Sequence, residues 1–383
     1  MIRHVSRFVV KIVATVKNQN GSCKRDEDSK LCSPIWRLQS GIKDTKGQIK
    51  CRISCSLFIT LFFQWVLGKS VEKMIRESPP ECLNDPELGK HLYVKINVRD
   101  DDISLQLIVP FSQDCKYHYV ENGSRRNTLV ICLHDFTDFW YGWRNQLKEL
   151  SKSFWVVALD LKGFGDSEKP YLSRYYSDGV ILEEIKKFVD IIHERKKKIV
   201  ILGHGLGGQI GWKLVEKYPE MVSKFVSIST PHPKVWLSHL TRSWSSMIQN
   251  RWLYECRLPF LPELQMVDND LEVFDKRFKK WNSTVDLANY SNFDKVPQKK
   301  KEMFLNPFLQ EAYKYTFSRT VDWQGCINYY RNLPLSKFEN VSETEVARTI
   351  PVETLFLVGN MDPELSLDLV SQSAKFVERS RRL

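Results

Sequence analysis

Hydrophobic residues along this chain fall into three kinds of run. The first is short and uninterrupted. Thr128–Leu133, Phe154–Leu159, Ile199–Leu202, Phe225–Ile228 and Val352–Val358 are of this kind and read as buried strands. The second alternates: His91–Val98 and Ile103–Val109 flank Arg99-Asp100-Asp101-Asp102 and read as a hairpin. The third has helical spacing. It covers Trp140–Ser151, then Ser177–Arg195 with Ile181, Ile185, Phe188, Val189 and Ile192 on one side. It returns over Gln209–Lys217 and from about Leu365 to Arg379. Strands alternating with helices predict a mostly parallel sheet covered on both faces. After Pro233 the strands stop, and Trp236, Trp244, Trp252, Trp281 and Trp323 enter in helical spacing broken at Pro259, Pro262 and Lys299–Lys301. A helical cap over about 234–340, inserted in an α/β domain spanning 90–383, fits this change of pattern.

The pattern before residue 90 is different. Ile53–Gly68 is densely apolar and uncharged, closed by Arg52 and Lys69. It falls slightly short of the ~20 residues that span a bilayer comfortably, but flanking basic side chains can snorkel. The expectation is a single transmembrane anchor at 53–68, with a monotopic or core helix as the rival reading. A basic tail (1–52) precedes it and a connector (69–89) with Pro79-Pro80 and Asp85-Pro86 follows. Residues 1–52 hold 12 Lys/Arg against 4 Asp/Glu, whereas the remainder holds 45 against 42. This bias puts the N-terminus in the cytoplasm and the folded part on the lumenal side, with the endoplasmic reticulum membrane as the expected location. Sequons at Asn20, Asn122, Asn282, Asn289 and Asn340 are compatible with that. Met1–Val16 also carries basic helical spacing, as a mitochondrial presequence does. Because the net charge of +11 resides largely in the tail, the folded part has no strong reason to seek nucleic acid. Nine scattered cysteines without C-x-x-C spacing support neither zinc nor a disulfide framework. No metal or cofactor is expected.

The chemistry centres on Lys198–Val215. The Ile199–Leu202 strand runs into Gly203-His204-Gly205-Leu206-Gly207-Gly208 and then into a helix. A strand, a sharp glycine-rich turn and a helix form a nucleophile elbow, which presents its third residue above the sheet. That residue is Gly205, so the elbow has no reactive side chain. Glycine-rich turns also cradle phosphate, but the Lys-Ser/Thr pair of a P-loop is missing. Gly203, Gly205 and Gly208 match dinucleotide spacing, yet the strand lies mid-chain without an identifiable acidic ribose partner.

Six segments then carry a resemblance. They are His134-Asp135-Phe136-Thr137 with Phe139-Trp140-Tyr141-x-Trp143-Arg144; Asp160-x-x-Gly163-x-Gly165-x-Ser167-x-x-Pro170; the elbow; Thr230-Pro231-His232-Pro233; Asn328-Tyr329-Tyr330-Arg331-Asn332; and Gly359-x-x-Asp362. In this order over about residues 90–383 the chain resembles the epoxide hydrolase family of the α/β-hydrolase fold. With its apolar segment in front, it is similar to the family's membrane-anchored members. The fold class this implies is α/β, a mostly parallel sheet with an inserted helical cap, here ending before the eighth strand.

The resemblance also implies roles. An elbow Asp attacks the epoxide carbon and forms an ester; that position is Gly205, degenerate. Two cap tyrosines hold and protonate the epoxide oxygen. Tyr330 matches one, and the other falls on Trp252, with Tyr254 nearby as a substitute. The oxyanion turn His-Gly-x-Pro becomes His134-Asp135-Phe136-Thr137, and a charge at Asp135 opposes oxyanion stabilisation. Asp362 matches the acid that holds the water-activating histidine, and no histidine follows it. Asp362 also reads as a helix N-cap and Tyr330 as a packed cap aromatic. His134 and His232 read as structural hydrogen-bonders. Phe136, Trp140, Trp252 and Tyr254 are the candidate binding residues. The expected function is an epoxide hydrolase-like protein, catalytically impaired or inactive (a pseudoenzyme), with a lipophilic small molecule and a membrane as partners. The alternative is an incomplete product of an active membrane-bound hydrolase of lipophilic epoxides. Dehalogenase and serine hydrolase chemistry fail on the same empty elbow.

Overall fold

The computed structural model describes residues 76, 78–99, 112–194, 197–241, 244–287, 307–334, 349–359, 362, 367–378 and 380–382. The segments expected to form an anchor at 53–68, a basic tail at 1–52 and helical spacing at 1–16 lie outside the described residues. Among the described residues, no helix is long and apolar enough to cross a membrane.

Eight strands form one sheet in the order β1-β2-β4-β3-β5-β6-β7-β8. The first two, β1 (Lys90–Arg99) and β2 (Ser112–Asn122), pair antiparallel from Lys90↔Glu121 to Arg99↔Ser112. The segment Ile103–Val109 expected to pair with β1 lies outside the described residues; among the described residues the antiparallel partner of β1 is β2. Cys115, Tyr117 and Tyr119 bury at every second position, a period-two face that the polar residues between them hid from the sequence reading. β2 then pairs antiparallel with β4 (Trp155–Leu159), and all further pairs are parallel.

β3 (Leu129–Leu133) and β4 are buried at every residue, as interior strands of a sheet covered on both faces require. β5 (Ile199–His204) departs from the expectation of full burial: Val200 and Leu202 are only half-buried. Following 3-10 turns at Trp140–Trp143 and Ser173–Tyr176, helices α1 (Arg144–Leu150) and α2 (Asp178–Ile192) form. α2 packs Ile181, Ile185, Phe188 and Val189 into the core, the face its spacing predicts. α3 (Leu206–Lys217) leaves the elbow and begins three residues earlier than its apolar pattern suggested, because two of its first three residues are glycine.

β6 (Val222–Ile228) precedes the helical insertion. That insertion comprises α4 (Pro233–Thr241), α5 (Trp244–Gln249), α6 (Arg251–Glu255), α7 (Leu261–Leu287), α8 (Pro307–Thr316) and α9 (Thr320–Arg331). β7 (Glu353–Leu357) returns the chain to the sheet, and α10 (Leu367–Ala374) follows. The sheet does not end there. α10 stops five residues short of the expected Arg379, and β8 (Ser380–Arg382) pairs parallel with Thr354–Phe356. An eighth strand is present, so the expectation that the sheet ends before it is corrected. The three residues are polar, and no apolar pattern marks them as a strand.

Candidate functional site

The elbow has the backbone its motif requires. Gly205 sits at φ 50° and ψ −115°, in the left-handed region where a Cβ is strained. Gly203 lies under the turn, where a Cβ would come within 2.7 Å of the Gly207 carbonyl oxygen. Strand and helix backbones approach that closely only without a side chain between them.

A cavity of about 620 Å³ opens over this turn. That is the size of an ordinary small-molecule site. Gly205, Leu206, Asp135, Phe136, Trp252, Tyr330 and Asp362 all line it. Three of these form an aromatic wall. The Phe136 ring centroid lies 6.0 Å from Trp252 and 4.9 Å from Tyr330, and the latter two are 4.9 Å apart. Edge-to-face pairs at these separations are favourable beyond their buried area. Tyr329, the neighbour of Tyr330, also reaches the cavity, but its hydroxyl donates to the Lys162 carbonyl at 3.0 Å.

Two candidate binding residues are placed elsewhere. Trp140 is buried and stacks edge-on against His91, Phe139 and Tyr141; it does not line the cavity. Its backbone N–H donates to Asp160 at 2.7 Å, so its role is to start the turn before α1. Tyr254 does not line the cavity either, and its buried hydroxyl has no hydrogen-bond partner among the described residues. On α6, residues two apart point away from each other, so Trp252 and Tyr254 cannot share a face.

The oxyanion turn is held from behind. The Leu161 N–H donates to His134 Nε2 at 3.1 Å, so that nitrogen carries no proton. His134 Nδ1–H then donates to the Asp135 carbonyl at 2.8 Å. Both ring nitrogens are committed, and the imidazole is a neutral strut rather than a base. His232 is committed in the same way: Nε2 meets Glu216 Oε1 at 3.0 Å, and Nδ1 accepts from the Lys234 N–H at 3.3 Å. His204 ends β5 and lines the cavity. Thr137 sits at φ 61°. A proline ring holds φ near −65°, so a proline could not occupy this turn as it stands.

Asp160 anchors the loop that supports His134. It is fully buried and accepts from Trp140, from the Asp166 N–H at 3.1 Å and from His118 Nδ1 at 2.7 Å. Burial pushes its carboxyl up, but the hydrogen bond and charge of His118 outweigh that, and it lies below the usual carboxylate range. Lys162 and Glu184 form a second buried pair, with Tyr117 donating to Glu184 at 2.7 Å. Burial pushes the Glu184 carboxyl up.

One contact was not foreseen from the sequence. The Leu206 N–H, the first amide after the elbow tip, donates to Asp135 Oδ1 at 2.8 Å. A Cβ added to Gly205 would lie 1.8 Å from that same oxygen. No spacing along the chain signals that these residues meet.

Comparison with known proteins agrees with this architecture. Residues 128–383 match the family model described as alpha/beta hydrolase fold. The chain is 31% identical over 337 residues to Epoxide hydrolase 4 of Homo sapiens, covering 86% of this chain and 82% of that protein. It is 28% identical over 302 residues to Epoxide hydrolase 3 of Xenopus tropicalis, covering 79% and 73%. Among solved structures, a mutant epoxide hydrolase from Bacillus megaterium superimposes with a TM-score of 0.54 at 22% identity, over 70% of this chain and 89% of that one. Epoxide Hydrolase A from Mycobacterium thermoresistibile gives 0.53 at 19% identity, over 76% and 90%. With the elbow, the cap and the order of the sheet, these likenesses place the chain in the epoxide hydrolase family of the α/β-hydrolase fold.

Proposed function

We propose that the cavity receives a lipophilic epoxide and that this chain does not hydrolyse it catalytically. The observation that carries the reading is the elbow tip. Gly205 holds the strained nucleophile conformation at the floor of a ligand-sized cavity and has no side chain to attack with. The aromatic wall of Phe136, Trp252 and Tyr330 supports an apolar ligand. Tyr330 supports an epoxide among such ligands, since its hydroxyl can hydrogen-bond the ring oxygen. Asp362 lines the same cavity.

In a hydrolase whose parts act as a unit, loss of the side chain at the nucleophile position costs on the order of a million-fold in kcat. Purified protein incubated with styrene oxide should therefore release diol at the buffer rate. Multiple turnovers that disappear in Asp362→Asn would refute the proposal.

A further inference from the structure

The side-chain place at the elbow is not empty. All three carboxylate atoms of Asp135 lie within 2.7 Å of where a Cβ on Gly205 would stand: Oδ1 at 1.8 Å, Cγ at 2.1 Å and Oδ2 at 2.7 Å. A carboxylate delivered by the turn after β3 thus occupies the position that an elbow side chain would fill. It faces the same cavity as Phe136, Trp252 and Tyr330. Its two oxygens differ. Oδ1 accepts the Leu206 N–H at 2.8 Å, while Oδ2 has no hydrogen-bond partner among the described residues. The Asp135 backbone is immobilised, because its carbonyl accepts from His134 Nδ1–H at 2.8 Å and from the Asp138 N–H at 3.2 Å. Such support keeps a reacting group in place without reorganisation.

From this geometry we infer that Asp135 is a relocated nucleophile, which captures an epoxide once as a stable ester. The inference rests on the epoxide-binding reading above. Oδ2 attacks a ring carbon, and a bond forms between them. The carbon–oxygen bond of the ring breaks, and its electron pair goes to the departing oxygen. That alkoxide takes the proton of the Tyr330 hydroxyl, and the phenolate regains a proton from water. Oδ1 becomes the ester carbonyl oxygen and retains the Leu206 N–H. The product is a β-hydroxyalkyl ester of Asp135, with every atom of the epoxide kept. Covalent catalysis separates attack from ester cleavage, so the first step can run without the second. This role differs from the bland one, in which Asp135 only caps the first amide of α3.

The test uses the full chain, styrene oxide, intact-protein mass spectrometry and peptide mapping, with thermal shift as a readout of binding. Asp135→Asn keeps an oxygen for the Leu206 N–H but removes the anion, so it should fold. The expected result is one added epoxide mass per wild-type chain, mapped to Asp135 and lost in Asp135→Asn. A thermal shift without an adduct would leave the cavity reading standing and refute the nucleophile, making Asp135 a cap alone. An adduct that persists in Asp135→Asn would refute it as well, as background alkylation. Neither shift nor adduct would overturn both readings.

Discussion

Position 205 and position 135 must be read together. Where the family resemblance places Asp at the elbow and Gly in the oxyanion turn, this chain has Gly205 and Asp135. The structure makes the exchange physically coherent. Gly205 has the backbone of an attacking residue, and Asp135 fills the space that the residue would have used. A single Gly205→Asp substitution therefore does not simply restore the family's arrangement. Its Cβ would overlap Asp135 Oδ1, and two carboxylates would share one site. The single variant should lose about 3 kcal/mol of stability through overpacking and like-charge repulsion. The double variant Asp135→Gly/Gly205→Asp should recover most of that loss. Denaturant melts of both check the pair. Equal destabilisation of the single and double variants would show that the two positions do not compete for the same space.

At the scale of elements, the cavity exists because α9 is held in two directions. Toward the sheet, Gly325 meets Gly163 so closely that a Cβ on Gly325 would lie 2.5 Å from the Gly163 Cα. Tyr329 donates to the Lys162 carbonyl of the same loop. Toward the rest of the cap, Arg331 forms an ion pair with Glu263 at 2.7 Å and donates to the carbonyls of Cys256 at 2.9 Å and Leu258 at 3.1 Å. One guanidinium thus ties α6, α7 and α9, and Tyr330 stands beside it in sequence. Arg331→Met would strand a Glu263 side chain that is 5% exposed. Breaking one partner of a buried pair costs about 3 kcal/mol. Hydrogen exchange should accelerate in residues 251–287 and 320–331, while β3, β4 and β5 keep their protection. Unchanged cap protection would mean that Arg331 contributes packing alone.

For the molecule as a whole, acid is the informative stress, and Asp160 is the group to follow. Its folded-state value lies below the usual carboxylate value of 3.8. The unfolded chain therefore takes up this proton first as pH falls. The stability Asp160 contributes is present above pH 3.8 and is lost as pH falls through the lower folded value. Glu184 acts with the opposite sign, since burial raises its carboxyl. A comparison of wild type with Asp160→Asn isolates the first effect. At pH 7 the variant should be less stable by about 3 kcal/mol, because His118, Trp140 and Asp166 lose a charged acceptor. The difference should shrink as pH falls below 3.8. A gap constant with pH would show that Asp160 is not ionised in the folded protein.

The sequence by itself determined the strand–helix alternation, the elbow, the helical insertion after Pro233 and the lack of a reactive side chain at 205. Each is a local property: an apolar period, a glycine cluster or the identity of one residue. It also identified Asp135, Tyr330, Trp252 and Asp362 as residues of interest, all of which line one cavity. Only the tertiary structure decided what could not be local. The period-two face of β2 was hidden because Lys116 and His118 stand between Cys115, Tyr117 and Tyr119, and His118 is itself buried on the opposite face. β8 was hidden because three residues at a sheet edge pair through their backbones and need no apolar pattern. Trp140 and Tyr254 looked like site residues, but Trp140 packs among His91, Phe139 and Tyr141, and helical direction turns Tyr254 away from Trp252. Asp135 and Gly205 lie seventy positions apart. Parallel pairing of β3 with β5 brings the ends of those strands together, and their two side-chain positions then share one space.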